Sequence, residues 1–237
     1  MKELIMTVAD RGAHADRLER VILAEGTANA FAHADRIERP FRHWRFNDAL
    51  PKALCREIIA LPISLPPALD SLGKRSSLNK HRHFFSPETQ RSYPAACMIA
   101  EVFQSELVIG AIKMLCAIDC TGSYLRIEYC QDRDGFWLEP HMDIREKLVT
   151  IQLYLNTGPD AKDLGTDLYN EQEQLISRTP GALGEGLAFV PSERGSWHGF
   201  EKRPIKGVRR SLIVNYVTSE WRARHELSFP ELPVPPR

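Results

Sequence analysis

Three His-x-Asp triplets stand out among the eight histidines of the 237-residue chain: His14/Asp16, His33/Asp35 and His141/Asp143. An imidazole and a carboxylate two positions apart can grip one ion only where the backbone places i and i+2 on the same side. In a helix these positions diverge by about 200°, whereas in a strand alternate residues share a face. The first two triplets belong to a charged N-terminal segment that reads as helix, so they are expected to be solvated charges. His141 and Asp143 lie in strand-rich sequence, between Tyr129 and a strand that begins near Leu148. A third ligand must come from farther along, and His198 and His225 are the candidates. His225 sits in the charged run Trp221 to Glu226, which reads as solvated helix or coil. His198, in Ser196-Trp197-His198-Gly199-Phe200, lies between two strand-like runs and is the better choice.

Two imidazoles and one carboxylate on one side of an ion leave the rest of its sphere open. That is the ligand set of non-haem Fe(II) oxygenases, where nitrogen and oxygen donors without thiolate keep the iron redox-active. Taken alone, His198 fits a loop-capping or core histidine as well as a ligand. The remaining candidates lead nowhere. His81-Arg82-His83 could put two imidazoles on one strand face, but no third ligand follows, and a polar edge strand or a substrate-side loop is expected there. Cys116 and Cys120 have no second pair to complete a soft-metal site. There is no Gly-rich phosphate loop, GxSxG elbow or HExxH.

These side chains need a frame. Residues 10–32 read as a helix with Leu18, Val21, Ile22 and Leu23 on its apolar side, and residues 14–20 nearly recur as 33–39. Phe41, Trp44 and Phe46 alternate loosely with polar residues. Leu50 to Leu61 reads as a helix closed by Pro62, followed by a surface loop to Asn79. Pro94 to Cys116 reads as the longest helix, with Met98, Val102, Leu107 and Ile109 inward. Strand-like runs then take over: Tyr124 to Tyr129, Leu148 to Leu155, Leu164 to Tyr169, Leu187 to Val190 and Val208 to Val217. Gln131 to Gly135 reads as an insertion after the first of them. No helices of 10–15 residues separate the runs, which disfavours a parallel βαβ sheet. An antiparallel sandwich or open barrel buttressed by the early helices is expected.

Composition agrees with a globular domain. Lys and Arg number 31 against 31 Asp and Glu, and 43% of residues are hydrophobic. Charge balance gives no footing for broad binding of nucleic acid or an anionic membrane. No apolar run approaches the roughly 18 residues of a membrane span. Five scattered cysteines without a CxxC pair read as reduced thiols, and no leader is expected at the start, so a cytoplasmic protein is expected.

Five pieces in order change the weight of His198. They are His141-Met142-Asp143, Thr150 to Asn156 with its Tyr154-Leu155-Asn156, Gly165-Thr166-Asp167-Leu168, His198, and Arg209-Arg210-Ser211-Leu212. Together they resemble the iron(II)/2-oxoglutarate-dependent dioxygenases, prolyl-4-hydroxylase-like branch, over about half the chain, Tyr124 to Val217. The resemblance implies an α+β protein with a mainly β core: a double-stranded β-helix (jelly-roll, cupin-like) with supporting N-terminal helices. It would comprise a helical extension over 1–39 and one oxygenase domain over 40–237, its jelly-roll core at about 121–218. It implies Fe(II) held by His141, Asp143 and His198, with 2-oxoglutarate as cosubstrate and O2 as oxidant. It further implies hydroxylation of an unactivated C–H bond in a small molecule, amino acid or peptidyl residue, with succinate and CO2 released.

In that family an arginine grips the far carboxylate of 2-oxoglutarate, for which a planar fork is well suited. Two adjacent arginines are available here, and they would face opposite sides of one strand. Arg209 shares its face with Ser211, Ile213 and Asn215, the more polar set, while Arg210 shares with Leu212, Val214 and Tyr216. Arg209, Ser211 and Tyr154 are therefore expected at the far carboxylate, and Tyr129 is a further residue that could reach the cosubstrate. Two rivals carry fewer requirements. A cupin-like metal enzyme without 2-oxoglutarate has no need of Arg209 and Ser211, and a non-catalytic binding module has no need of an intact ligand set.

Overall fold

A computed structural model describes residues 8–192 and 195–235. The strands are β1 (Asp35–Ile37), β2 (His43–Asn47), β3 (His83–Phe84), β4 (Tyr124–Asp132), β5 (Leu138–His141) and β6 (Lys147–Tyr154). They continue with β7 (Asp167–Tyr169), β8 (Leu175–Arg178), β9 (Glu185–Phe189), β10 (His198–Phe200) and β11 (Arg209–Val217). Seven of them form one sheet in the order β1-β2-β9-β6-β11-β4-β3, and four form a second in the order β5-β10-β7-β8. Every pairing within the two sheets is antiparallel. This is the double-stranded β-helix that the motif order implied.

The helices are α1 (Val8–Ala32), α2 (Lys52–Ile59), α3 (Pro87–Ser92), α4 (Pro94–Gln104) and α5 (Glu106–Cys116). Alternation along the central strands decides what they cover. Val149, Ile151 and Leu153 of β6 and Leu212, Val214 and Tyr216 of β11 join one buried cluster with Ile99, Phe103, Val108 and Ile112 of the helices. The opposite faces carry Thr150, Gln152 and Tyr154, and Arg209, Ser211 and Asn215, all buried. A sheet with one apolar face against helices and one polar face inward must hold charge and hydroxyls in its interior.

Several details differ from the sequence expectation. The stretch from Pro94 to Cys116 is two helices, because Ser105 leaves the helical region and its hydroxyl accepts from the Val108 amide to start α5. The longest helix is instead α1, and its buried residues are Leu23, Ala24, Thr27 and Phe31, while Leu18, Val21, Ile22 and also Leu107 of α5 are exposed. His33 follows α1 and Asp35 begins β1, so the second triplet is not helical. Of the strands shorter than five residues, β7 lies within the run expected from Leu164 to Tyr169, while β1, β3, β5, β8 and β10 escape the sequence pattern. Among the described residues no single helix is long and apolar enough to cross a membrane; α4 and α5 pass such a test only together, across a 57° bend, and both are core helices.

Candidate metal centre

His141 ends β5 and His198 begins β10, and the two are directly opposed across that ladder. Their ring centroids are 4.3 Å apart. Each ring is oriented by its own strand: Nδ1 of His141 lies 2.9 Å from the carbonyl of Glu139, and Nδ1 of His198 lies 2.8 Å from that of Ser196. A carbonyl can only accept, so Nδ1 carries the proton and Nε2 keeps its lone pair. β5 stops at His141, and Asp143 reaches the same point from the turn that follows. The ligand atoms of His141, Asp143 and His198 all lie within 4.8 Å of one another, the one such group of three found among the described residues.

Electrostatics put the three in the forms a cation needs. Burial, joined by the neighbouring His198, lowers the pKa of His141 to about 3, so the ring is neutral at physiological pH. Burial lowers that of His198 as well. For Asp143 burial opposes the charge, but Lys147 and the Thr150 hydroxyl outweigh it and hold the carboxyl well below its usual range. Its Oδ1 accepts from Lys147 Nζ and its Oδ2 from the Thr150 hydroxyl at 2.6 Å. Neutral imidazoles and an ionised carboxylate form the deprotonated donor set that a divalent ion requires. The other triplets do not assemble. The His33 ring is tied to Asn29 O, His225 is exposed in a short 3-10 turn, and the His14 side chain lies outside the described residues.

Two cavities meet at His141. One runs toward the far end of β11 and is lined by Arg209, Arg82, Asp132, Gln152 and Thr166 beside the two histidines. Arg209 points into this interior, donating from Nη1 to Asp132 at 2.6 Å and from Nε to the Leu164 carbonyl at 2.9 Å. Phe200 and Phe136 flank its guanidinium, their centroids 4.5 and 5.7 Å from Cζ. Arg210 is on the other face, half-buried, its amide donating to Asn156 Oδ1. Ser211 stands in register between Cys130 and Tyr154, and its buried Oγ has no hydrogen-bond partner. The Tyr154 hydroxyl donates to Thr166 Oγ1 at 2.8 Å, and Thr166 in turn donates to Gln152. Thr166 is thus the hydroxyl of this chain that borders the cavity. A forked cation and the Thr166 hydroxyl are the chemistry a carboxylate needs, but the space between them and the histidines is only about 30 Å³, so these side chains must move apart to admit a dicarboxylate; Ser211 and Tyr154 do not line it.

Tyr129 does not reach this space. It shares the face of Leu212 and is buried against the helices. The residues from Gln131 onward, expected as an insertion, instead lengthen β4 to Asp132, the residue that pairs with Arg209. The signal is present in the sequence: Arg126, Glu128, Cys130 and Asp132 alternate along one face.

The second cavity, of about 320 Å³, borders His141 and Asp143. Arg126 and Glu128 of β4 line it together with Arg75, Lys147, Phe84, Trp221 and Glu226. Arg75 opens the 3-10 turn of residues 75–81, and Arg82 is the residue after it. No spacing in the sequence marks them.

No family model and no curated protein sequence matches the chain. Solved structures do. A Pseudomonas putida prolyl-4-hydroxylase superposes with a TM-score of 0.53 at 15% identity, over 83% of this chain and 93% of that one. A prolyl hydroxylase from Trichoplax adhaerens, solved with a hypoxia inducible factor peptide fragment, gives 0.54 at 13% identity, over 87% and 94%. The fold is prolyl-4-hydroxylase-like. At these identities the likeness speaks for the fold, and the His-Asp-His group able to hold a metal is a property of this chain's own residues.

Proposed function

We propose that the protein is an Fe(II)- and 2-oxoglutarate-dependent oxygenase. The observation that carries the reading is the convergence of His141, Asp143 and His198, the two histidines sharing a cavity with the buried Arg209. The bound metal would supply the redox centre at which O2 and 2-oxoglutarate are converted to succinate and CO2 while R–H becomes R–OH.

The chain's own residues supply the rest. His141 and His198 present Nε2 because backbone carbonyls fix the other nitrogen. Thr150 and Lys147 orient the Asp143 carboxylate. Arg209, stiffened by Asp132 and Phe200, would bind the far carboxylate of 2-oxoglutarate, with the Thr166 hydroxyl, backed by Tyr154, lining the same space. The aromatic and apolar wall of Phe136, Phe200 and Ile213 restricts water around that anion.

The test is succinate formation from 2-oxoglutarate by the protein supplied with Fe(II) and O2. Slow turnover without a primary substrate is expected, and it should vanish in Asp143→Ala. Metal-dependent activity with no requirement for 2-oxoglutarate would instead favour the cupin-like reading.

A further inference from the structure

We infer that the outward face of α5 is an interface for a second copy of this chain, which packs its own α5 antiparallel against it about a two-fold axis.

α5 is apolar almost all round. Glu106 and Lys113 are the only charged residues among its 11. Val108, Ile109, Ile112 and Cys116 are buried in the core, so one face is covered. Leu107, Gly110, Ala111 and Met114 make a second stripe, with the i, i+3, i+4, i+7 spacing by which a helix docks against a partner. Leu107 is 47% exposed and Met114 85%, the highest value for a large apolar side chain among the described residues. A helix apolar on both sides belongs in an interior, yet here one side faces water. Gly110 is buried and Ala111 half-buried, so the middle of the stripe is recessed between two projecting side chains. The same residues border a groove of about 800 Å³, whose other wall includes Ala28 and Ala32 of α1. Small side chains at such a point let another helix axis come close.

The stripe reads the same way in both directions, and that selects the occupant. Leu107 and Met114 lie about two turns apart, with Gly110 and Ala111 midway. A two-fold axis at Gly110–Ala111 sets Leu107 beside the partner's Met114, and Met114 beside the partner's Leu107. Glu106 and Lys113 each come one residue before an apolar side chain of the stripe, so both flank it on the same side. Reversal brings Glu106 to the partner's Lys113, and symmetry repeats that pair. Lys113 reaches Asp119 at 2.7 Å, an exposed contact that leaves its ammonium further donors for a second carboxylate. A lipid surface is the other apolar occupant, but faces that enter one carry rims rich in Lys and Arg, whereas this rim pairs a carboxylate with an ammonium. α5 lines neither cavity at His141, so this interface and the metal-ligand group are separate.

Sedimentation velocity of the full-length protein, over a micromolar to submillimolar series, tests this. The mass should rise from one chain to two as concentration increases. Met114→Glu places a charge where the single chain leaves the side chain in solvent. Its fold should therefore persist by circular dichroism while the dimer weakens at least tenfold. Glu106→Lys and Lys113→Glu, each alone, should weaken the dimer several-fold by setting like charges together. Mixed in equal amounts, the two variants should recover it as a heterodimer, because each supplies the sign the other lacks. Mixing cannot repair damage to the fold, so recovery reports the antiparallel pairing itself. A chain that stays monomeric across the series, a dimer indifferent to Met114→Glu, or charge variants that do not recover on mixing would overturn the inference. So would a chain that stays monomeric but floats with phosphatidylcholine–phosphatidylglycerol vesicles until Met114→Glu releases it, which assigns the face to lipid.

Discussion

At the scale of single residues, the site depends on which atom each side chain presents. His141 and His198 offer Nε2 because Glu139 O and Ser196 O occupy Nδ1. Replacing either histidine by Ala should abolish Mn(II) binding in anaerobic calorimetry, whereas His33→Ala should leave the isotherm unchanged. The adjacent arginines divide in the same way. Arg209→Ala should weaken 2-oxoglutarate by roughly 2–4 kcal/mol, because a forked cation is removed from a desolvated anion. Arg209→Lys should recover part of the loss, and Arg210→Ala should stay within a few-fold; equilibrium titration with Mn(II) present separates the three. The facing of Arg209 is legible because a nine-residue strand alternates without interruption. Asp132 is harder to read, since the polar and turn-forming residues Arg133, Asp134 and Gly135 follow it directly and suggest an earlier strand end. Arg75 and Arg82 are beyond reach for a different reason: tertiary folding of a loop brings them in, and no local period encodes that.

Among the elements, the short ladder of β5 and β10 carries the geometry. Gly199 follows His198, and a Cβ there would come within 2.7 Å of Leu138 O and 3.0 Å of Glu139 O. Those are backbone atoms of β5 that cannot step aside without moving His141. Gly199→Ala should therefore weaken Mn(II) binding at least tenfold, although neither ligand is changed. Calorimetry on the variant checks it, with circular dichroism reporting that the seven-stranded sheet persists. The long strands β4, β6 and β11 are readable from alternation, but β5 and β10, with four and three residues, are not. Few residues carry too little pattern, and pairing across the sheet decides them. The break at Ser105 is likewise written as a capping serine ahead of Glu106, inside a run whose apolar spacing otherwise continues.

For the whole molecule, α1 and the seven-stranded sheet share one core. Phe31 of α1 packs edge-on against Phe46 at 5.0 Å and tilted against Phe103 at 6.4 Å. Phe31→Ala should cost about 3–5 kcal/mol, read from urea denaturation. The thiols report on the same core. All five cysteines are free, and burial raises Cys55 to about 11 and Cys116, Cys120 and Cys130 to about 12. These four stay protonated below those values, so alkylation of the native protein at pH 8 should reach them far more slowly than after unfolding. Cys97, only half-buried and raised less, should react first. Mass spectrometry of timed samples gives the order.

The central claim is that His141, Asp143 and His198 hold iron and that 2-oxoglutarate joins it on the Arg209 side. Anaerobic titration of the Fe(II)-loaded protein with 2-oxoglutarate, followed by visible absorption, tests this most directly. A weak charge-transfer band should grow and saturate at one equivalent, require higher 2-oxoglutarate in Arg209→Ala, and be absent in His198→Ala. A folded, iron-binding protein that develops no band, or one whose band survives loss of His198, would contradict the account.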